Sequence, residues 1–175
     1  RSHGHNYLGC VLNKEYAIPF DNKDETLRLT ELFDAIYNRW FDESIFKGTY
    51  PKEALALFEE HMPSNYISDL PIINQPLDWV GTNYYTRSLI KPDKSEMVIG
   101  LKCVRGNLPK TDMGWEIEPE GLAHFIKRTA KYYASDLPLY ITENGMASID
   151  LIEQGAIKDI DRINYFDKHL KIIAE

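Results

Sequence analysis

The strongest candidate for a reacting group in this sequence is a glutamate placed directly after a short apolar stretch. Glu143 follows residues 139–142 (LYIT) and precedes Asn144 and Gly145, a pair that favours a turn. The predicted strand therefore stops at a carboxylate. Because a carboxylate beside a buried strand costs free energy unless it is paired or hydrogen bonded, this position favours chemistry. The structural alternative is a helix-capping or surface glutamate.

Two other predicted strands end in polar side chains that suit the same site. The first leads to Asn13, and the second ends in residues 82–85 (TNYY). Since the carboxyl ends of parallel strands meet at one edge of a sheet, we expect these amide and phenol groups to lie near Glu143. Such a cluster can bind a hydroxyl-rich ligand, and hydrogen bonds to an ionised carboxylate favour its charged form. For Asn13, a role in capping a turn is an equal alternative.

The elements that must position these groups alternate between strand and helix. Short apolar runs predict three strands, over residues 7–12, 77–85 and 137–142. Helical spacing predicts four helices, over residues 26–41, 51–61, 119–133 and 159–174. Residues 86–111 form a long connection that can hold a hairpin. Because the strands are apolar on both faces, the pattern favours parallel strands covered by helices.

The predicted helices have apolar sides that we expect to face the sheet. In the third helix this side consists of Leu122, Phe125, Ile126 and Thr129. In the last helix it consists of Ile163, Phe166, Leu170 and Ile173. Three such strands and their helices form either a small open sheet or part of a (β/α)8 barrel, since a full barrel takes about 250 residues.

Composition narrows the classes of function. The chain has 175 residues, a net charge of −7 and 43% hydrophobic residues, which is typical of one soluble globular domain. Basic residues are scattered, so nucleic acid and anionic membrane surfaces are excluded as predicted partners. Cys10 and Cys103 have no metal-ligand spacing, and we interpret them as buried free thiols of a cytoplasmic protein. We expect residues 1–175 to be a single domain truncated at both ends.

Five segments together resemble glycoside hydrolase family 1, the β-glucosidase family. They are YNRWF (37–41), FKGTYP (46–51), LDWVGTNYYTR (77–87), DMGWEIEPEGL (112–122) and YITENG (140–145). The resemblance covers nearly the whole chain and keeps the family's order. It implies a (β/α)8 TIM barrel, present here as a partial barrel of strands five to seven with their helices.

The resemblance also implies roles for four residues and no metal or organic cofactor. Glu143 matches the catalytic nucleophile, which forms a covalent glycosyl-enzyme intermediate, and Tyr85 matches the residue that hydrogen-bonds the nucleophile. Asn83 matches a polar residue near the −1 sugar subsite. Trp115 matches an aromatic platform on the leaving-group side, where a flat indole suits the apolar face of a sugar or aryl group. The structural alternatives are core packing for Trp115 and a backbone partner for Tyr85.

One part of the family's chemistry has no match in this sequence. Retaining glycosidases use two carboxylates roughly 5 to 5.5 Å apart, one as nucleophile and one as acid and base. The family places the second in a Thr-x-Asn-Glu-Pro motif, which does not occur here. We reject Glu15, because Tyr16 replaces the proline and the segment corresponds to the fifth strand. We interpret Glu116, Glu118 and Glu120 as a solvated loop and helix start.

The sequence therefore predicts a retaining β-glycosidase of the β-glucosidase type whose acid/base glutamate lies outside this chain. Its partner is a β-glycoside, either a small molecule or an oligosaccharide. Within the class, a β-galactosidase or a 6-phospho-β-glucosidase is the alternative, although the MGWEI segment (113–117) leans away from the phosphorylated branch. We expect the isolated chain to be inactive. A different class of function is an inert or sugar-binding partial barrel, whose open sheet edges would pair with a complementary chain or a second copy.

Overall fold

A computed structural model of the chain describes residues 7–174, which form one main sheet covered by helices and a small separate hairpin. The strands are β1 (Gly9–Pro19), β2 (Trp79–Pro92), β3 (Leu101–Val104) and β4 (Leu139–Glu143), with a separate hairpin of β5 (Ile152–Glu153) and β6 (Ala156–Ile157). The helices are α1 (Asp24–Asp34), α2 (Trp40–Lys47), α3 (Lys52–Phe58), α4 (Tyr66–Ile73), α5 (Pro119–Tyr132) and α6 (Ile160–Ala174). No helix within residues 7–174 has both the length and the apolar character needed to cross a bilayer.

The main sheet is parallel at its centre, as predicted. β2 pairs with β1 along one edge and with β4 along the other, both in parallel. The predicted hairpin also forms, because the last residues of β2 pair antiparallel with β3. Helices lie in the connections between the parallel strands, so the layers follow the β/α order of a barrel segment.

The first two strands are longer than the sequence predicts. β1 continues to Pro19 and β2 to Pro92, whereas we expected ends near Asn13 and Tyr85. The extensions stay in the sheet because residues 16–19 pair with residues 87–90. Asn13 and Asn83 therefore lie within strands, and only β4 ends at its polar residue.

The predicted helix over residues 26–41 is interrupted by a π-helical turn, Ala35–Arg39, and the helical segment then runs on to Lys47. The turn holds Asn38, which is completely buried. Its amide donates to the carbonyl oxygen of Glu15 (3.0 Å) and accepts from the backbone N–H of Glu15 (3.1 Å). The register between β1 and β2 shifts here, so that Tyr85 and Thr86 both lie opposite Glu15. Asn38 thus satisfies a backbone that the sheet leaves unpaired.

The predicted inner face of the third helix is confirmed. Leu122 and Phe125 of α5 are buried with Tyr84 in one apolar cluster. Ile126 packs against that cluster and Thr129 is also buried. The side of α5 that carries these residues therefore closes the outer face of β2.

The predicted inner face of the last helix is wrong. Ile163, Phe166, Leu170 and Ile173 of α6 are all exposed within the described chain. The buried side of α6 instead carries Tyr165 and His169, whose rings stack at a centroid distance of 3.9 Å. Helical periodicity locates an apolar stripe but does not say which neighbour covers it, and here two aromatic side chains with polar atoms fill the contact with β2 and α5.

Cys103 is exposed on β3, contrary to its prediction as a buried thiol.

Candidate active site

Three of the predicted polar residues lie in one row across the parallel strands. Asn13 of β1 is the register partner of Asn83 in β2, and Asn83 is the partner of Glu143 in β4. The pairing of β2 with β4 also shifts by one residue, with Thr142 as the extra residue of β4. The Thr142 hydroxyl donates to Oδ1 of Asn83 (2.7 Å), which fixes the orientation of that amide.

Tyr85 is the residue that contacts Glu143 directly. Its hydroxyl donates a hydrogen bond to Oε2 of Glu143, and this bond raises the pKa of Tyr85 above its ordinary value. The two residues belong to different strands, and each lies beside a register shift. Such irregularities redirect side chains at the rim of a barrel. The partner of the Tyr85 hydroxyl is therefore a carboxylate rather than the backbone group that the structural alternative required.

Trp115 lies beside Tyr85 on the loop that precedes α5. The two ring centroids are 5.8 Å apart and the ring planes are inclined by 59°. Thr111 holds the loop closed, since its N–H donates to the carbonyl oxygen of Trp115 (2.8 Å) and its hydroxyl accepts from the N–H of Trp115 (3.3 Å). The indole is only partly buried, so it does not serve simply as a core residue.

A small cavity of about 120 Å³ extends from Tyr85 and Trp115 towards β1. The other lining residues include Asn13, Glu15, Tyr37 and Arg105. Asn13 donates from Nδ2 to the Tyr37 hydroxyl (3.0 Å), which joins the strand to the π-helical turn. Typical ligand clefts measure about 300–1,000 Å³, so this volume is that of a partial binding site.

Tyr37 and Arg105 are among the cavity residues that sequence reasoning missed. Tyr37 lies in the segment that the sequence predicts as a regular helix (26–41), and its hydroxyl reaches Asn13 from the π-helical turn found there instead. Arg105 follows β3 and donates from Nη1 to the carbonyl oxygen of Arg87 (2.6 Å), a long-range contact without any local signal in the sequence.

The interpretation of residues 116–120 as solvated is wrong for Glu116. This side chain is 0% exposed, and its carboxylate accepts from Nε of Arg87 (2.8 Å) and from the backbone N–H of Leu108 (3.0 Å). Burial alone raises the pKa of a carboxyl, but these donors outweigh burial and lower the pKa of Glu116. The Glu116–Arg87 pair thereby ties the loop that carries Trp115 to β2.

Glu118 shares Arg87 with Glu116 but titrates differently. Nη1 of Arg87 lies 2.8 Å from the carboxylate of Glu118. Burial and a hydrogen bond with Glu120 raise the pKa of Glu118 to about 7, while the same bond lowers that of Glu120. The proton shared in this hydrogen bond therefore resides on Glu118, and the Glu120 carboxylate accepts the bond. Glu120 is exposed at the start of α5, as expected.

A resident metal has no evident ligand set in the part of the chain that the structure describes. No group of three or more His, Cys, Asp or Glu side chains within residues 7–174 is arranged to hold an ion. The geometry instead combines an exposed carboxylate, a phenol donor, oriented amides and an indole. That combination suits the binding of a hydroxyl-rich ligand next to a nucleophilic oxygen.

Comparison with known proteins places the sequence in a family. The sequence profile of glycosyl hydrolase family 1 matches residues 2–175. β-Glucosidase A of Thermotoga maritima is 37% identical over 165 residues, covering 93% of this chain and 36% of that protein. A 6-phospho-β-galactosidase of Clostridium acetobutylicum is 30% identical over 195 residues, covering 96% of this chain and 41% of that protein.

A solved structure extends the similarity to the fold. The Thermotoga maritima family 1 glycoside hydrolase, complexed with a cyclophellitol-analogue transition-state mimic, superimposes with a TM-score of 0.87. It is 36% identical, and the alignment covers 95% of this chain and 37% of that chain. The chain thus spans little more than a third of the length of these relatives, and its β/α elements form part of a (β/α)8 barrel.

Proposed function

The chain belongs to glycosyl hydrolase family 1, and we propose that it carries the nucleophile of a retaining β-glycosidase. The observation that carries this proposal is the hydrogen bond from the Tyr85 hydroxyl to Glu143. A phenol donor directed at one carboxylate oxygen orients the group and leaves the other oxygen available for attack. The substrate we propose is a terminal β-linked glucoside, either a small molecule or an oligosaccharide.

In the proposed reaction, Glu143 attacks the anomeric carbon while the bond to the leaving oxygen breaks. A second carboxylic acid protonates that oxygen, and the glycosyl group is now esterified to Glu143. The second group then takes a proton from water, which attacks the anomeric carbon and releases Glu143 as a carboxylate. Tyr85 keeps Glu143 oriented through its hydrogen bond, because a phenol is protonated at neutral pH and can donate.

The neighbouring residues supply contacts to substrate in this proposal. Asn83, held by Thr142, offers its remaining amide donors to hydroxyls of the sugar that reacts. Trp115 lies beside Tyr85, with the two ring centroids 5.8 Å apart, and in this proposal its indole stacks against the leaving group. The cavity beside Trp115 extends this leaving-group region towards Asn13.

The second carboxylate is proposed to lie outside residues 1–175. Glu15 accepts from the Ser88 hydroxyl and Glu116 is buried against Arg87, so both have structural partners within the chain. We therefore propose that the 175 residues alone hydrolyse no aryl β-glucoside. Turnover by the isolated chain that is lost in Glu143→Gln would contradict this part of the proposal.

A chimaera tests the nucleophile directly. Residues 2–175 replace the matching segment of the Thermotoga maritima β-glucosidase, which supplies the rest of the barrel. The chimaera is incubated with dinitrophenyl 2-deoxy-2-fluoro-β-glucoside, and its peptides are mapped by mass spectrometry. We expect a glycosyl label on Glu143 and none in Glu143→Gln. A label on another residue would refute the assignment, and parallel galactoside and 6-phosphoglucoside probes report the sugar preference.

A second candidate role is assembly with another polypeptide. Within residues 7–174, β4 pairs with β2 along one edge and with no other strand. The exposed apolar side of α6 lies in the same β/α unit. An unpaired strand edge and an exposed apolar helix face each favour association with a complementary chain or a second copy. Sedimentation velocity of the isolated chain over a range of concentrations tests this role.

A further inference from the structure

The sheet alone does not fix the position of Tyr85 relative to Glu143. The register of β2 with β4 ends at the pair of Asn83 and Glu143, so Tyr85 lies beyond it. On the other edge, Tyr85 falls in the shift between the pairs that Lys14 and Tyr16 make with β2. Tyr85 thus has no regular register partner: on the β1 edge it shares Glu15 with Thr86, and on the β4 edge it lies beyond the last pair. Contacts from outside these two pairings therefore matter for the position of its backbone.

That contact comes from the residue that follows Glu143. Nδ2 of Asn144 donates to the carbonyl oxygen of Tyr84 (2.8 Å) and to the Tyr165 hydroxyl (3.1 Å). The Tyr165 hydroxyl in turn donates to the carbonyl oxygen of Tyr85 (3.4 Å). The peptide groups on both sides of the Tyr85 Cα atom are therefore bound, one by Asn144 and the other by Tyr165.

Tyr165 is itself held rigidly in α6. Its side chain is 1% exposed and stacks on His169, whose Nδ1 lies 2.8 Å from the Tyr165 carbonyl oxygen. Because the neutral imidazole can donate from Nδ1 to that carbonyl, both the backbone and the ring of Tyr165 have a fixed neighbour. The hydroxyl is thus presented to β2 from a buried helix face instead of from a loop.

We propose that Asn144 and Tyr165 are positioning residues that keep the Tyr85 hydroxyl aligned with Glu143. The catalytic meaning of this alignment rests on the proposed function, but the alignment itself is a property of the chain. Asn144 follows Glu143 in sequence and hydrogen-bonds the backbone of the strand that carries Tyr85, so it connects the two partners. Tyr165 adds a hydrogen bond from α6 to the same strand, so the orientation of Tyr85 also depends on the position of that helix.

The isolated 175-residue chain allows a test that does not depend on catalysis. Tyrosine labelled with ¹³C at Cζ reports the titration of each phenol by NMR, and Tyr85→Phe assigns the resonance of Tyr85. Glu143→Gln removes the anion that accepts the hydrogen bond of the Tyr85 hydroxyl, and this variant defines the full downward shift of the Tyr85 pKa. We expect Tyr165→Phe and Asn144→Ala each to produce most of that shift although Glu143 is intact.

Tyr133→Phe is the matched control, because it removes the same hydroxyl from a partly buried tyrosine outside this network. A Tyr85 titration that stays at the wild-type position in both variants, as in the control, would overturn the proposal even if their melting temperatures fall. Asn144→Ala serves if Tyr165→Phe does not fold. The chimaera separates this result from the proposed function, since labelling of Glu143 can fail while the titration shifts, or succeed while it does not.

Discussion

The hydroxyl of Tyr85 donates a hydrogen bond to Glu143, although 58 residues separate the two in sequence. The residues meet because parallel pairing sets β4 beside β2 and because each strand departs from regular register next to one of them. The carboxylate is exposed while the phenol is partly buried. One partner is therefore open to a ligand, and the other is held by the protein.

Removal of the Tyr85 hydroxyl is expected to slow the chimaeric β-glucosidase more than it weakens substrate binding. A hydrogen bond to a charged group contributes about 1.5–3 kcal/mol, which corresponds to a loss of about 10- to 150-fold in rate. We therefore expect Tyr85→Phe to lower kcat within this range, with KM changed by less. Steady-state kinetics with an aryl β-glucoside measures both constants. Tyr133→Phe, which removes the same hydroxyl from a partly buried tyrosine outside the site, is the control, and an equal loss there would contradict the prediction.

The buried pair of Arg87 and Glu116 is expected to contribute strongly to stability. Arg87→Ala leaves a buried carboxylate without its main donor, and breaking such a pair costs about 3–5 kcal/mol. The free energy of unfolding is measured by urea denaturation monitored by far-UV circular dichroism. Arg87→Ala combined with Glu116→Gln should recover part of the loss, because the uncompensated charge is gone. Arg28→Ala, on the exposed side of α1, is the control and should change stability little.

Glu118 predicts a distinctive dependence of stability on pH. Its pKa in the folded chain is raised from 4.5 to about 7, so the folded state holds this proton more tightly than the unfolded state. The stabilising contribution is fully present below pH 4.5 and is lost as the pH rises through 7. Relative to wild type, Glu118→Gln should therefore gain stability as the pH rises through this window.

Urea denaturation at several pH values measures this difference for Glu118→Gln. Glu60→Gln removes one carboxylate from an exposed position and should follow the wild-type curve. Parallel curves for wild type and Glu118→Gln would show that Glu118 does not hold the shared proton.

The exposed side of α6 is expected to promote association of the isolated chain. Leu170 is 63% exposed, and a lysine there interrupts the apolar stripe. We expect Leu170→Lys to lower the fraction of oligomer seen by sedimentation velocity. Asn164→Lys adds the same charge at an exposed polar position of the same helix. If both variants lower association equally, net charge rather than the apolar stripe is responsible.

Much of the candidate site could be predicted from local sequence. Glu143, Tyr85, Asn83 and Trp115 stand in short segments whose residue types and order resemble one family, and the structure places all four in the same region. The parallel pairing also follows from runs that are apolar on both faces. These signals are local, or repeat with a fixed period, so a single sequence contains them.

The remaining features depend on contacts that are distant in sequence. Glu116 looks solvated beside other acidic residues, but it is buried because donors elsewhere in the chain bind its carboxylate, among them Arg87, 29 positions earlier. The extent of β1 and β2 depends on their mutual pairing and not on composition. In α6, the apolar stripe is real, but the neighbour that the helix meets selects Tyr165 and His169 for burial.

The contact of Asn38 with Glu15 has a consequence for how this part of the chain can change in length. The additional residue of β2 opposite Glu15 and the wider π-helical turn around Asn38 each resemble a one-residue insertion. If only the β2 residue or only the π-helical turn were lost, the Asn38 amide and the backbone groups of Glu15 would lose the hydrogen bonds they now make with each other. Deletions in the two segments, nearly 50 residues apart, are therefore expected to be tolerated together and selected against singly. Evolutionary gain or loss of residues here would then proceed in compensated pairs.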